Sequence, residues 1–582
     1  MQSKIKTISQ KCFNCLEEIG DQTQDAVVIS TFFDPCKNEQ SLPRGLALTQ
    51  SSHSIIEHCF RILKKGGLAF IYGKPSELWL WAETLNSTNN LKAKMIFKYW
   101  IALDINKKDR TSYLAPNHQG LLLYVKTALV GNTPFYLNTK EVRMPYTYCR
   151  ACNQNLKDWG GKKHLMNPKG TCVSDVWKDL PRVDLKSNTI PESVMNRIID
   201  LVTIQNKSLG VHIVQDESAV ENTKQSLPCP SSNTLPGHLD FSQFSNNGVY
   251  LGDCVSFLNR VSEIYPEGIF DLAFADPPYN LSKLYNRYND EVADREYIEW
   301  CDAWLYGMYK ALKPGGTLFV LNLPKWAIYH AKLLSQFMDF RHWIVWDALS
   351  EPRGKVMPAH YALLYYTKPG ATPKFRYSPI NCKPIKGAVL PPDAPYYCLR
   401  QKCVQNRKSL GQDDKVQLSD IWSDIHRIKH KRDRDAHPCQ LPDSLMERII
   451  KLTTDPGDFV FDPFGGAGTT AIAAYKLQRR FAVIDIDKKY VDITKKKVGK
   501  MEKNRDLFGE LILQRKSLSR QRGNGSKKQV ELYLQSFARR LGRVPTETDI
   551  KTDRPDILRT IDALYPDRNS AVKRCKVALV GL

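Results

Sequence analysis

Short apolar runs alternate along most of this chain with longer segments of helical periodicity. In the first part of the chain, DAVVIS, GLAFIYG and GLLLYVK have the length and composition of buried strands. Further along, the runs are DLAFAD, GTLFVLN, YALLYYT, DFVFDPF and RFAVIDID. Strands that alternate with helices in this way predict an α/β fold with a largely parallel sheet.

The same pattern occurs twice. Five segments of the first part match five of the second in the same order, among them FRILKKGGLAFIYGKP (60–75) and YKALKPGGTLFVLNLP (309–324). Five ordered matches are hard to produce by chance. The sequence therefore predicts a duplication that relates residues 5–205 to residues 248–505.

Changes in composition divide the chain further. Residues 1–206 and 248–505 hold the two copies, and 207–247 is polar and rich in Ser, Asn and Pro, as linkers are. Residues 506–582 begin as a basic stretch with Gly and Ser and continue with helical spacing. We predict a basic linker and a small helical module there, which is either a DNA-binding helix-turn-helix or a packing appendage.

The chain has neither a long apolar run nor the apolar stretch of a signal peptide near Met1. Its 15 cysteines, without a secretory signal, indicate reduced thiols. The expected location is cytoplasmic, and nucleoid-associated if the partner is DNA.

A basic excess indicates the class of partner. The chain has 84 Lys and Arg against 61 Asp and Glu, a net charge of +23. Such an excess favours a polyanion such as nucleic acid, although a protein that merely runs basic is the alternative. The excess is locally strong in residues 371–436, with 14 Lys and Arg against 7 Asp and Glu. This stretch is either a nucleic-acid contact or a solvated basic loop.

A Gly-rich turn follows one of the predicted strands, in FDPFGGAGTT (461–470), and leads into a predicted helix. Glycines allow backbone N–H groups to approach a ligand closely, and the next strand, FAVIDID, ends in acidic residues that can bind ribose hydroxyls. The loop lacks both the Walker and the strict G-x-G-x-x-G spacing. By itself it is also compatible with a tight strand-to-helix turn.

The tetrapeptide DPPY (276–279) follows the strand DLAFA. Two prolines fix the backbone and donate no N–H, so their turn can aim a carboxylate and a carbonyl at one amino group. Tyr279 offers a flat face on which a base can stack. Alone, DPPY is also compatible with an ordinary turn.

Taken together, these motifs resemble the β group of DNA amino-methyltransferases that use S-adenosylmethionine. The order is GDC (252–254), ADPPYN (275–280), HPCQLP (437–442), FDPFGGAGTT and FAVIDIDKKY. The chain departs mildly from the family pattern at Cys439, Leu441, Ala467 and Asp485. The resemblance covers about residues 248–500. It implies a Rossmann-like methyltransferase sheet with helices on both faces, duplicated as a degenerate N-terminal copy, plus a small helical C-terminal module.

The resemblance also implies roles for individual residues. Asp276 and the Pro277 carbonyl accept hydrogen bonds from the exocyclic amine of a flipped base, Pro278 completes the rigid turn, and Tyr279 stacks on the base. The methyl group then moves directly, by proximity and orientation. The S-adenosylmethionine site implied by the family comprises Asp462, Phe464, Gly466, Gly468, Thr469, Asp485, His437 and Gln440. Residues 371–436 match the family's target-recognition region.

The first copy lacks this chemistry. Ser30, Thr31, Phe32 and Phe33 stand where the tetrapeptide would be, and no DPFGGAG follows. We interpret it as a degenerate methyltransferase half, retained as structure or as a DNA-binding surface. A monomeric pseudodimer on double-stranded DNA is expected, with a true dimer as the alternative.

Cysteines in the first copy suggest a metal. Cys149 and Cys152 form C-x-x-C, and His164 and Cys172 follow. Four ligands of this kind can hold one structural zinc ion, although free thiols in a loop explain them equally well.

The expected enzyme is a site-specific DNA methyltransferase. Adenine N6 is the preferred acceptor, because adenine enzymes of the family usually have Asp at the head of the tetrapeptide. The alternatives are cytosine N4, an RNA substrate, and a non-catalytic DNA-binding protein.

Overall fold

The structure is a computed structural model of the full chain. It forms two compact units, Met1–Met501 and Glu502–Leu582. The described residues are 5–9, 19–31, 50–87, 93–105, 114–128, 133–149, 152–155, 164, 166–180, 190–203, 210–216, 247–281, 292–348, 355–376, 398, 400–409, 418–425, 427–428, 440–503, 533–534, 537 and 546–553.

The described residues of the larger unit form two sheets, and the first has seven strands. In chain order these are β1 (Ile5–Ser9), β2 (Gln24–Thr31), β3 (Leu63–Gly73), β4 (Ala93–Asp104), β5 (His118–Ala128), β6 (Val176–Trp177) and β7 (Val211–Asp216). Across the sheet the order is β1-β7-β2-β3-β5-β4-β6. Only β5 is antiparallel to its neighbours among these strands.

The second sheet has eight strands. They are β8 (Asn247–Leu251), β9 (Phe270–Ala275), β10 (Leu312–Asn322), β11 (Asp339–Asp347), β12 (His360–Thr367), β13 (Ile421–Trp422), β14 (Phe459–Asp462) and β15 (Arg480–Asp485). Their order is β13-β11-β12-β10-β9-β14-β15-β8, and only β12 is antiparallel to its neighbours. Six strands in a row therefore occur in the same order and direction in both sheets.

Helices connect the strands. They are α1 (Gln50–Ile62), α2 (Pro75–Ser87), α3 (Glu192–Val202), α4 (Cys254–Ile264), α5 (Asp294–Ala311), α6 (Pro324–Leu334), α7 (Gln401–Ser409), α8 (Asp443–Thr453), α9 (Thr469–Lys476), α10 (Lys488–Lys503) and α11 (Glu547–Asp553). None of these helices is both long and apolar enough to cross a lipid bilayer. The predicted α/β fold is confirmed.

Alternating residues of the central strands bury both faces of the first sheet. Val27 and Ile29 of β2 pack in one core with α1 and α2, whereas Ala26 and Val28 pack in another with α3. Since successive side chains of a strand point to opposite faces, a run without polar residues requires helices on both sides. The first of these cores continues into the second sheet and its helices α4, α5 and α6.

The larger unit has two halves, residues 1–216 and 247–501, and equivalent residues of each half form the contact between them. The indole rings of Trp100 on β4 and Trp343 on β11 stack with centroids 3.8 Å apart. Each indole donates to a histidine of its own half: Trp100 to His118 at 3.2 Å, and Trp343 to His360 at 3.1 Å. The other ring nitrogen of each histidine lies 3.1–3.2 Å from the backbone carbonyl of the opposite tryptophan.

Beside the stacked rings, two buried carboxylates also accept hydrogen bonds across the interface between the halves. Asp175 Oδ1, before β6, accepts the backbone N–H groups of Ala359 and His360 at 2.7 and 3.0 Å. In the opposite sense, Asp420 Oδ1, before β13, accepts the backbone N–H groups of residues 117 and 118, both at 2.9 Å. Each half thus inserts one carboxylate into the other, which is the reciprocity of a two-fold interface.

The predicted linker begins too early. Val211–Asp216 lies inside 207–247 but forms β7, which pairs with β1 and β2. The prediction is wrong for these residues because VHIVQD is short and stands among polar residues, which hides its strand character. In the first sheet β7 takes the position that β14 takes in the second.

In the smaller unit, few residues of the predicted 506–582 module are described. They include helix α11, and Tyr533 Oη donates to Asp553 Oδ2 at 3.0 Å.

Candidate active site

The sequence motifs of the second half meet at one edge of its sheet. Strand β9 lies between β10 and β14, and β14 pairs with β15, all in parallel. Parallel strands bring their carboxyl ends to the same edge, where ligands of such sheets bind. Asp276 follows β9, Asp462 ends β14 and Asp485 ends β15. The fold therefore brings the tetrapeptide and the Gly-rich loop to adjacent strand ends.

The tetrapeptide is closed by a bond between its first and last residues. Tyr279 Oη donates to Asp276 Oδ1 at 2.6 Å, and the Tyr279 side chain is 8% exposed. Pro277 is buried and Pro278 half-buried. Because one carboxylate oxygen is held by the phenol, the Asp276 side chain has a defined orientation. The carboxylate has further lone pairs with which it can accept from an amino group.

Two large side chains fix the backbone of the tetrapeptide from outside. Tyr297 Oη on α5 donates to the Pro278 carbonyl at 2.5 Å, and Trp326 Nε1 on α6 donates to the Tyr279 carbonyl at 2.8 Å. The two supporting rings also contact each other, with centroids 4.6 Å apart. Neither residue was predicted from the sequence, because an aromatic on a helix fits an ordinary core position and nothing marks its hydrogen bond.

Behind Tyr297 lies a buried polar network. Asn322 Nδ2 donates to Tyr297 Oη at 3.1 Å and contacts His330 Nε2 at 2.9 Å. Burial lowers the pKa of His330 to about 3, so its ring is neutral at physiological pH. The hydrogen-bond network behind the tetrapeptide therefore keeps the same protonation state across the physiological pH range.

After the tetrapeptide, Asn280 turns the chain. Its φ is +53°, in the left-handed region that Asn tolerates better than most residues. Its side-chain amide forms hydrogen bonds with both backbone groups of Val292: it donates to the carbonyl at 2.9 Å and accepts from the N–H at 3.0 Å. These two bonds fix the ends of the loop between β9 and α5.

Carboxylates at the strand ends shape the Gly-rich loop. Asp485 Oδ2 accepts the Gly466 N–H at 2.8 Å, and Asp462 Oδ1 accepts the Phe464 N–H at 2.9 Å. Gly466 and Gly468 have φ of +49° and +84°, which favours glycine at both positions. The backbone of the loop is thus fixed by carboxylate acceptors at the ends of β14 and β15.

Helix α10 holds the loop from its other side. Thr494 Oγ1 donates to the Gly466 carbonyl at 3.2 Å, and Lys497 Nζ donates to the Ala467 carbonyl at 2.7 Å. A Cβ at Gly468 would lie 2.6 Å from Thr494 Oγ1, so the close approach of helix and loop requires glycine there as well. Thr469, the next residue, begins α9.

An aromatic wall borders the same loop. The half-buried Phe464 ring lies 5.7 Å from the Trp300 ring and 5.2 Å from the Trp304 ring, both on α5. Gln440 is half-buried just before α8, and His437 lies outside the described residues.

Both strand-end carboxyls are shifted by burial. Burial raises the pKa of Asp462 to about 7, although its bonds from Thr470 and from the Phe464 N–H oppose the shift. Burial also raises the pKa of Asp485. Asp462 consequently takes up a proton in the folded chain at a pH where the unfolded chain does not.

Because of this shift, Asp462 should destabilise the folded chain as pH rises. A folded-state pKa raised above the unfolded value means that stability falls from about pH 4 to about pH 7, by on the order of 1 kcal/mol per pH unit from this group. Asp462→Asn keeps the shape but cannot titrate. In denaturant titrations between about pH 5 and pH 7, the loss of stability should therefore be smaller in the variant than in the wild type, by on the order of 1 kcal/mol per pH unit. Equal losses in both proteins would contradict the assignment.

The predicted metal ligands are only partly brought together. Cys149 and Cys152 lie side by side, but the cysteines that join them are Cys398 and Cys403 of the second half. The inclusion of His164 and Cys172 is wrong: His164 is exposed, and Cys172 Sγ accepts instead from Arg143 Nη1 at 3.3 Å. Spacing along one copy could not reveal ligands contributed by the other.

Comparison with known proteins gives the family. A family model described as DNA methylase (N6_N4_Mtase) matches residues 47–209 and 270–496. The Type II methyltransferase M.BamHI of Bacillus amyloliquefaciens is 31% identical over 312 residues, which cover 53% of this chain and 70% of the relative. The Type II methyltransferase M.HpaI of Haemophilus parainfluenzae is 32% identical over 237 residues, covering 40% and 69%.

Among solved structures, the M1.HpyAVI–SAM complex is 20% identical, with 43% of this chain and 98% of that chain covered and a TM-score of 0.30. The family match extends over more than half of the present sequence and includes both the tetrapeptide and the Gly-rich loop. The chain therefore belongs to the DNA methylase family and is a DNA amino-methyltransferase.

Proposed function

We propose that the second half of this chain methylates the exocyclic amine of a flipped base in a specific DNA sequence, with adenine N6 as the preferred acceptor. The observation that carries the proposal is the meeting of Asp276, oriented by Tyr279, with the Gly-rich loop at adjacent strand ends. S-adenosylmethionine is the methyl donor, and it supplies an electrophilic methyl group when bound. The Type II methyltransferase relatives support a place in a restriction-modification system.

The residues at the ends of β14 and β15 fit such a donor. The Asp485 carboxylate can accept from ribose hydroxyls, as acids at this position of α/β sheets do. Gly466 and Gly468 leave the loop without side chains, and the half-buried Phe464 offers an apolar face. The family roles of Thr469, Gln440 and His437 remain part of this proposal, as does that of Asp462, whose carboxylate supports the loop.

On the base side, the rigid turn does the positioning. Asp276 and the Pro277 carbonyl accept the two amine protons, which turns the nitrogen lone pair towards the donor. Tyr279 holds Asp276 and offers its ring to the base. Tyr297 and Trp326 prevent the turn from yielding when the base enters.

A direct test reads the product from the cell. Genomic DNA from cells that express the wild type, and from cells that express Asp276→Ala, is compared by single-molecule methylation sequencing. We expect N6-methyladenine in one sequence motif with the wild type only. N4-methylcytosine in its place would move the acceptor to cytosine, and no difference between the strains would overturn the proposal.

We also propose that the chain is a β-group enzyme whose first half is a degenerate duplicate. The order of DPPY before the Gly-rich loop supports the group. The shared strand order of the two sheets and the family match in both halves support the duplication. Ser30 and Thr31 end β2 where Asp276 follows β9, and both are buried, so among the described residues the end of β2 itself carries no carboxylate.

The reciprocal interface supports a monomeric pseudodimer, in which the first half takes the place of a second subunit. The domain boundaries predicted from the sequence stand as proposals, with the linker now starting after β7. Residues 371–436 are proposed to recognise double-stranded DNA through phosphate and base-edge contacts. Much of this stretch, like most of the proposed C-terminal helical module, lies outside the described residues.

A further inference from the structure

Four thiols from the two halves form one cluster. Cys149 and Cys152 come from the first half, Cys398 and Cys403 from the second, and all four sulfur atoms lie within 4.8 Å of one another. Cys149, Cys398 and Cys403 are buried, and Cys152 is exposed. The cluster takes no part in the methyl-transfer chemistry described above.

The sulfur spacing fits a tetrahedral metal. Zinc–sulfur bonds of about 2.3 Å in a tetrahedron place sulfur atoms about 3.8 Å apart. Cys149 Sγ lies 3.5 Å from Cys403 Sγ, and Cys152 Sγ lies 3.6 Å from Cys398 Sγ. A disulfide requires about 2.05 Å and joins sulfur atoms in pairs, whereas here each pair also lies close to the other.

The backbone around the cluster is shaped as a ligand turn. Cys149 N–H donates to the Gln154 carbonyl and Asn153 N–H to the Cys149 carbonyl, both at 2.8 Å. Asn153, directly after the second cysteine, has φ of +49°. The turn therefore points both side chains of C-x-x-C to one side.

Arg400 connects the segments that carry the two pairs of cysteines. Its guanidinium donates to the Asn155 carbonyl at 2.9 Å, which joins the residue two positions after Cys398 to the residue three positions after Cys152. The two segments are therefore held together across the halves.

We propose that Cys149, Cys152, Cys398 and Cys403 bind one structural zinc ion that joins the two halves of the chain. Four thiolates and no open position make the site structural rather than catalytic. The ion fixes the start of α7 to the first half. Cys398 and Cys403 lie within residues 371–436, the stretch proposed above to contact DNA. The ion therefore gives the first half a role in DNA recognition, a step that rests on the proposed function.

The experiment starts with the full-length wild type, purified without chelators and analysed for metals. We expect about one zinc per chain, and X-ray absorption at the zinc edge showing four sulfur neighbours at about 2.3 Å. This measurement needs no variant and is independent of methyl transfer. A chain free of zinc even after reconstitution, iron in place of zinc, nitrogen or oxygen neighbours, or disulfides between these cysteines would overturn the proposal.

Two variants then locate the ligands. Cys403→Ser should lose most or all of its zinc, whereas Cys172→Ser, the matched control, should keep its zinc. Zinc retained by Cys403→Ser, or lost equally from both variants, would overturn the ligand set. Removal of zinc should weaken DNA binding while S-adenosylmethionine affinity remains. Intact DNA affinity in a zinc-free chain would contradict the role in recognition but leave both the metal site and the methyltransferase function standing.

Discussion

Replacement of Asp276 by alanine should reduce methyl transfer to DNA by about 100-fold or more, since a positioned charge-assisted hydrogen bond to the reacting amine is lost. S-adenosylmethionine binding should change little, because Asp276 follows β9 while the proposed donor loop follows β14. Transfer is measured with labelled donor on DNA that carries the sequenced motif, and donor affinity by calorimetry.

The matched control is Gly466→Val, which acts on the donor side. A β-branched residue is strained at the φ of +49° found there, so the loop must rearrange. This variant should lose donor affinity, whereas Asp276→Ala keeps it. Near-normal turnover by Asp276→Ala, or unchanged donor affinity in Gly466→Val, would assign the corresponding role to other residues.

Replacement of Trp100 by alanine should destabilise the whole larger unit by about 3–5 kcal/mol, although Trp100 lies in the first half and the proposed catalytic residues lie in the second. Trp100 is 1% exposed, and its ring stacks on Trp343 of the second half. Because the core continues from one sheet to the other, unfolding should remain one transition. Denaturant titration followed by fluorescence and by donor binding should give the same midpoint.

A double-mutant cycle separates the interface from general core damage. Trp100→Ala and Trp343→Ala together should cost less than the sum of the single changes, by about 0.5–3 kcal/mol, since each removes the same contact. The control pairs Trp100 with Trp304, whose ring contacts are with Trp300, His330 and Phe464. That pair should be additive. Additivity of the Trp100–Trp343 pair would show that the halves fold without depending on this contact.

Local sequence was sufficient for eight of the fifteen described strands and for the position of both motifs at strand ends. Apolar runs such as DLAFA and the Gly-rich loop carry their own geometry, so the residue pattern alone places DPPY and FDPFGGAGTT at strand ends. The strand β7 was missed because six residues of mixed polarity gain their stability from pairing with β1 and β2. Pairing with distant strands cannot be recognised from the residues of the segment alone.

The residues that support the tetrapeptide could not be predicted from the sequence, for a related reason. Tyr297 and Trp326 donate to the tetrapeptide from helices, and their sequence positions fit ordinary core residues. The cysteine cluster required knowledge of how the halves pack, since two of its members come from each. A site whose residues lie in one contiguous segment can be predicted from the sequence, whereas a site assembled from distant segments cannot.

The reciprocal carboxylates Asp175 and Asp420 have a consequence for the genetics of this enzyme. Each is buried against the opposite half, so separation of the halves breaks the hydrogen bonds that the two carboxylates accept from four backbone N–H groups. The halves are therefore held by their contact surface and not by the peptide that connects β7 to β8. A gene split between these strands should yield two polypeptides that assemble one to one, so the same enzyme could be encoded as a pair of adjacent reading frames.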